Sequence, residues 1–177
     1  MGIGGPDTPV WKGMYEYGAL VCGASVHGAD MLLSGEADVA FNPSGGLHHA
    51  MPSLASGFCY INDVAIACEH MASKGKKVLY LDIDVHHGDG VQHGFYERND
   101  VMTISLHETG RMIFPGTGFE DEIGAGEGEG FSVNVPLPPG TYNDIYMQSF
   151  NEVVLPLLKA YAPDVIVLEL GADALSG

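Results

Sequence analysis

The chain has 177 residues, 46% apolar and 17% charged, enough apolar material for a folded core, so wholesale disorder is excluded. Asp and Glu number 23 against 7 Lys and Arg, a formal charge of −16. So acidic a surface repels a phosphate backbone, which argues against direct nucleic-acid binding, and it attracts a cation such as a lysine-rich segment or a polyamine; acidity can also serve solubility alone, or a salty habitat.

Residues 13 to 34 (GMYEYGALVCGASVHGADMLLS) carry apolar side chains at three- and four-residue steps, which predicts a helix stopped by Gly35. ADVAFN, 37 to 42, reads as a short buried strand ending at a Pro43-Ser44-Gly45-Gly46 loop. Asn62 or Asp63 is placed to cap a helix through VAIACEHMASKG, closed by Gly75. Nearly unbroken apolar runs predict strands at KKVLYLDID, VMTISLH, FSVNVPL and DVIVLELG. Between the last two, YNDIYMQSFNEVVLPLLKAY has helical period, with Asn143 or Asp144 as cap and a kink or break at Pro156.

Strands apolar on both faces, alternating with helices, imply βαβ units. The expected fold is α/β, a three-layer sandwich around a mostly parallel sheet, read as one domain over 1–177. Ligands in such sheets bind beyond the carboxyl ends of the strands. No run of about 18 apolar residues predicts a membrane span. MGIGGPDTPVW lacks the basic and apolar regions of a signal peptide. Cys22, Cys59 and Cys68 form no CxxC pair, so a cytoplasmic location is expected.

Polar residues concentrate where that rule predicts. In LDIDVHHGDG, residues 81 to 90, strand alternation puts Asp82, Asp84 and His86 on one face. Burying three such groups unpaired is costly, and a Zn²⁺, Fe²⁺ or Mn²⁺ ion would resolve it; a hydrogen-bonded cluster without an ion is the alternative. Asp173 follows another buried strand and could supply a third ligand, leaving one position open for water. His48 and His49 are adjacent on a Gly-rich loop. They could act as base and acid beside a metal, each with an acidic partner such as Asp82 or Asp89; an ordinary surface loop is the alternative.

GGLHHA, SGFCYIND, LYLDIDVHHGDGVQ, MTISLH, FPGTG, SVNVPL and LELGAD occur in this order along essentially the whole chain. Together they resemble the zinc-dependent histone deacetylase family, of arginase–deacetylase fold, and DTPVWKGMYEY looks most like its bacterial and archaeal acetoin-utilisation members. The resemblance implies Zn²⁺ (or Fe²⁺) on Asp84, His86 and Asp173. It implies His49 as general base paired with Asp89, and His48 as second histidine paired with Asp82. Asp7 would hold the substrate backbone at the rim, and Gly57, Phe58 and Phe114 would wall an acyl-lysine tunnel. Structural K⁺ is implied at Asp82, Asp84, His86, Ser105 and Leu106, and again at Phe95, Arg98, Val101 and Phe131. The substrates implied are an acetylated lysine peptide or protein, or an acetylpolyamine as the rival.

Two departures from the family pattern stand out. The tyrosine that donates to the tetrahedral oxyanion has no match in the chain, which reads as a fragment incomplete at both ends and weak or inactive by itself. Ile113 stands where many relatives carry an aromatic residue. An arginase-type two-metal site lacks its extra bridging carboxylates, and a non-catalytic metal-binding module is the remaining alternative.

Overall fold

A computed structural model describes residues 1–175. Four parallel strands form one sheet: β1 (Val78–Asp82), β2 (Val101–Glu108), β3 (Ser132–Leu137) and β4 (Val165–Glu169), in the order β3-β2-β1-β4. The helices are α1 (Met14–Ser34), α2 (Asp63–Ala72), α3 (Asp89–Phe95), α4 (Asn143–Ser149) and α5 (Leu155–Tyr161).

Strand alternation divides the helices into two layers. Val78 and Tyr80 join Ala29, Val64, Cys68, Met71, Val91 and Phe95 in a core under α1, α2 and α3. Leu79 and Leu81 join Met102, Ile104, Leu106, Val154 and Tyr161 in a core under the α4–α5 segment. Burying each such Leu or Ile side chain stabilises the sandwich by roughly 1.5–3 kcal/mol. The expected three-layer α/β arrangement is the one found. Among the described residues no helix is long and apolar enough to cross a membrane.

Several expected boundaries change. ADVAFN is not a strand: no sheet hydrogen bond reaches residues 38 to 41, and Val39 and Phe41 are 82% and 75% exposed. The segment instead lies along α1, where the Asn42 amide donates to Val21 O and Ser25 Oγ. β1 stops at Asp82, two residues before the apolar run suggested. The cap of α4 is Tyr142, without a side-chain bond, rather than Asn143 or Asp144. The helical segment is divided just before Pro156, as expected. A π-helical turn, Phe150–Val154, precedes it, with Leu155 N–H bonded to Phe150 O, which accommodates the missing proline N–H. Gly35 ends α1 in the left-handed conformation, φ +74°, as expected.

Candidate metal centre and paired histidines

β1 and β4 are parallel neighbours with Asp82 opposite Glu169. Chain leaving both carboxyl ends therefore emerges on the same side of the sheet. Asp84 follows the end of β1 by two residues and Asp173 follows β4 by four, so groups almost ninety residues apart converge. Ligand atoms of Asp84, His86 and Asp173 all lie within 4.8 Å of one another. His86 Nδ1 is 3.0 Å from Asp84 Oδ1 and 3.1 Å from Asp173 Oδ2.

These spacings suit a small divalent ion. Ligands at about 2.1 Å from a tetrahedral ion sit roughly 3.4 Å apart. Two carboxylates face one imidazole, and no Lys or Arg pairs with either carboxylate among the described residues. Burial raises the Asp84 carboxyl pKa, with Asp173 and Asp82 adding to the rise, because nothing cationic balances the cluster except the histidines. The backbone fixes the carboxylates: Asp84 Oδ1 accepts from His86 N–H at 2.7 Å and Asp173 Oδ1 from Val85 N–H at 3.0 Å. Two oxygens and one nitrogen make a donor set that fits zinc.

Asp82 does not join this trio. Because β1 ends there, alternation no longer carries it onto the face of Asp84 and His86. It is fully buried and its Oδ2 accepts from Tyr80 Oη and bonds His48 Nδ1 at 2.8 Å. His49 Nδ1 bonds Asp89 Oδ1 at 2.7 Å. Each imidazole thus has the acidic partner that holds its Nδ1 proton and leaves Nε2 free. His48 Nε2 is 4.0 Å from Asp84 Oδ1, and the His49 ring centroid is 5.9 Å from that of His86. Burial alone lowers the His48 pKa, but Asp82, Asp84 and Glu169 outweigh it and push it up to about 9. A dication on Asp84 would cancel part of that pull.

The histidine loop is held from below. Asn62 caps α2 through Oδ1, which accepts from Ala65 N–H, and donates both amide protons, to His48 O and Ala50 O, at 3.0 Å each. Asp63 accepts from Gly46 and Leu47 N–H and from Ser25 Oγ. Of the tunnel residues, Phe114 packs edge-on against His49, with centroids 4.9 Å apart. Gly57 lies between these two rings, where a Cβ would approach His49 Cδ2 to 2.5 Å. Phe58 adopts φ +65° and is 76% exposed, and Asp7 Oδ2 accepts from Gly57 N–H at 3.2 Å. Asp7, Gly57, Phe114, the two histidines and the carboxylate trio therefore share one neighbourhood.

The expected potassium positions lie apart in two groups. Asp82 and Ser105 are paired across β1 and β2. Phe95 O, at the end of α3, accepts from Arg98 N–H, and Phe131 O accepts from Thr103 N–H. Sequence reasoning overlooked Tyr80, His87, Gln92 and Glu122, and read Asn62 as a helix cap without its bonds to the histidine loop. His87 is 1% exposed and bonds Thr117 and Gln92 rather than joining the carboxylate trio.

The family model described as a histone deacetylase domain matches residues 2–177. Histone deacetylase 3 of Oryza sativa subsp. japonica is 48% identical over 173 residues, which are 98% of this chain and 34% of the relative. Acetoin utilization protein AcuC of Bacillus subtilis (strain 168) is 46% identical over 174 residues, 98% of this chain and 45% of the relative. The chain thus spans between a third and a half of the length of these relatives. The crystal structure of a histone deacetylase homologue from Aquifex aeolicus superposes with a TM-score of 0.88 at 40% identity, covering 94% of this chain and 45% of that one. Agreement in sequence and in backbone runs through the strands that bring Asp84, His86 and Asp173 together. This protein therefore has the arginase–deacetylase fold and belongs to the histone deacetylase family.

Proposed function

We propose that this chain carries the metal and base half of a zinc-dependent deacetylase that hydrolyses acetyl-lysine to lysine and acetate. The observation that carries the reading is the placement of two Asp-paired imidazoles beside a two-carboxylate, one-imidazole cluster. Asp84, His86 and Asp173 would hold zinc, which supplies polarisation of the acetyl carbonyl and a lowered pKa for the attacking water.

His49 Nε2, left free by the Asp89 bond, takes the proton from the attacking water and returns it to the departing lysine amine. His48, held by Asp82, stabilises negative charge on the tetrahedral carbon's oxygens. Phe114 packs against His49 and excludes bulk water, which strengthens these electrostatic effects. Asp7 lies beside Gly57, where it would meet the backbone of a peptide substrate at the tunnel rim. K⁺ at the Asp82–Ser105 and Phe95–Phe131 positions belongs to the same proposal, as does a cytoplasmic location.

The test is acetate release from an acetyl-lysine peptide by zinc-loaded protein, beside acetylspermidine. His49→Ala is expected to lower turnover by about 10²–10⁴-fold, the usual contribution of a general base. Near-normal turnover in that variant sinks the role. Preference for acetylspermidine would reassign the substrate to polyamines, which the charge of −16 also suits. Residues 1–177 assayed alone contain no match to the oxyanion tyrosine, and loss of one such donor costs roughly 10²–10³-fold, so their turnover is expected to be weak.

A further inference from the structure

Behind the histidines lies a polar network, buried at its centre, that shares no side chain with the metal cluster. Its hub is Gln92, 8% exposed, one turn along α3 from Asp89. Gln92 Oε1 accepts from His87 Nε2 (3.1 Å), Ser132 Oγ (2.9 Å) and Asn134 Nδ2 (2.7 Å). Its amide donates to Glu122 Oε2 at 2.7 Å. Glu122 Oε1 in turn accepts from Gly118 and Phe119 N–H. His107 Nε2 donates to Gly118 O, and Thr117 Oγ1 bonds His87 Nδ1. The loop carrying Phe114 is thereby tied at its far limb to the helix that carries Asp89.

α3 is short, seven residues, and no side chain caps it. Its orientation is set by what its side chains grip. Asp89 holds His49 on one side, and Gly90 touches His48 O and Ala50 O so closely that a Cβ would come within 2.5 Å of both. Gln92 provides the opposing grip. We propose that the Gln92–Glu122 hydrogen bond is a strut that positions the Asp89–His49 pair against the Phe114 loop, making both residues positioning residues for the base. This rests on the deacetylase reading for its purpose, but its geometry can be tested without turnover.

Donor and acceptor roles at the strut can be exchanged. In Gln92→Glu, two carboxylates face each other across 2.7 Å. In Glu122→Gln, the new NH₂ must oppose either the Gln92 amide or the N–H groups of Gly118 and Phe119, whichever way it turns. Combining the two substitutions restores the bond in reverse: the amide placed at position 122 donates to the carboxylate placed at position 92, and every other acceptor is kept. The readout is the downfield Nδ1 proton of His49, assigned by its loss in His49→Ala. Each single swap is expected to speed its solvent exchange by about tenfold, the low end of effects from supporting hydrogen bonds, and the double swap to return it toward wild type. Single swaps that lower the melting temperature but leave this proton unmoved overturn the proposal, as does a double swap that fails to restore it. Zinc-loaded protein that carries the oxyanion tyrosine and still releases no acetate would sink the deacetylase reading and leave this result standing.

Discussion

Gly171 lies directly against the carboxylate of Asp84: a Cβ at 171 would overlap Asp84 Oδ2 and crowd its Cγ. The contact joins the chain leaving β4 to the chain leaving β1, so the two carboxylates approach only because this position lacks a side chain. Gly171→Ala is expected to push Asp84 away and weaken zinc binding by about 10–100-fold, the range for disturbed support of a metal ligand. Competition with a zinc chelator measures it; an unchanged affinity would show that the loop yields without moving Asp84.

Zinc is expected to stabilise the fold, because the three ligand groups are brought together only when β1 and β4 pair. At a hundred times its dissociation constant the ion adds about 2.7 kcal/mol. Melting curves should rise with zinc and fall back with EDTA. Asp84→Asn and Asp173→Asn should each abolish the response, and a zinc response surviving both would place the ion elsewhere.

Asn62 joins a helix terminus to the histidine loop, and its loss should be felt at both. Asn62→Ala removes the α2 cap, about 1 kcal/mol. It also strands His48 O and Ala50 O, adding roughly 1–3 kcal/mol. Urea denaturation should show a loss of about 2–4 kcal/mol. Asn62→Ser, which keeps a capping oxygen but no amide, should recover only the cap's share. Full recovery by Ser would mean that the loop bonds contribute nothing.

Acid should weaken the fold through His107. Burial, with the neighbouring His87 adding, lowers its pKa to about 4, although Gly118 O and nearby carboxylates oppose the shift. The ring is neutral in the folded chain, accepting from Ser105 Oγ and donating to Gly118 O. Unfolded, it binds a proton below its ordinary 6.5. Its contribution is therefore fully present above pH 6.5 and is lost as pH falls toward 4, by up to roughly 3 kcal/mol. Urea midpoints between pH 7.5 and 4.5 should drop more steeply for wild type than for His107→Asn. Parallel curves would contradict the assignment.

Much of the fold was legible because the strands are long apolar runs broken by turn residues, and the convergence of Asp84, His86 and Asp173 follows from placing two such runs side by side. ADVAFN misled because its composition suits a strand while its neighbours offer it no partner, and pairing is a tertiary fact. Asp82 misled because alternation was carried past the residue where the strand stops. Gln92 and Glu122 gave no signal: their bonds reach Ser132, Asn134 and Gly118, and hydrogen bonds between elements distant in sequence leave no periodicity to read.

Among the described residues β4 bonds to β1 on one side only, and its Ile166 and Leu168 are 47% and 46% exposed. A greasy strand with free amides and carbonyls along one margin is a template for stacking between molecules. Sixteen surplus negative charges oppose such stacking by mutual repulsion, which acts over about 8 Å at physiological ionic strength and only about 3 Å in molar salt. Concentrated brine is thus the condition in which this polypeptide should turn cloudy, and dilute buffer the one in which it keeps clear.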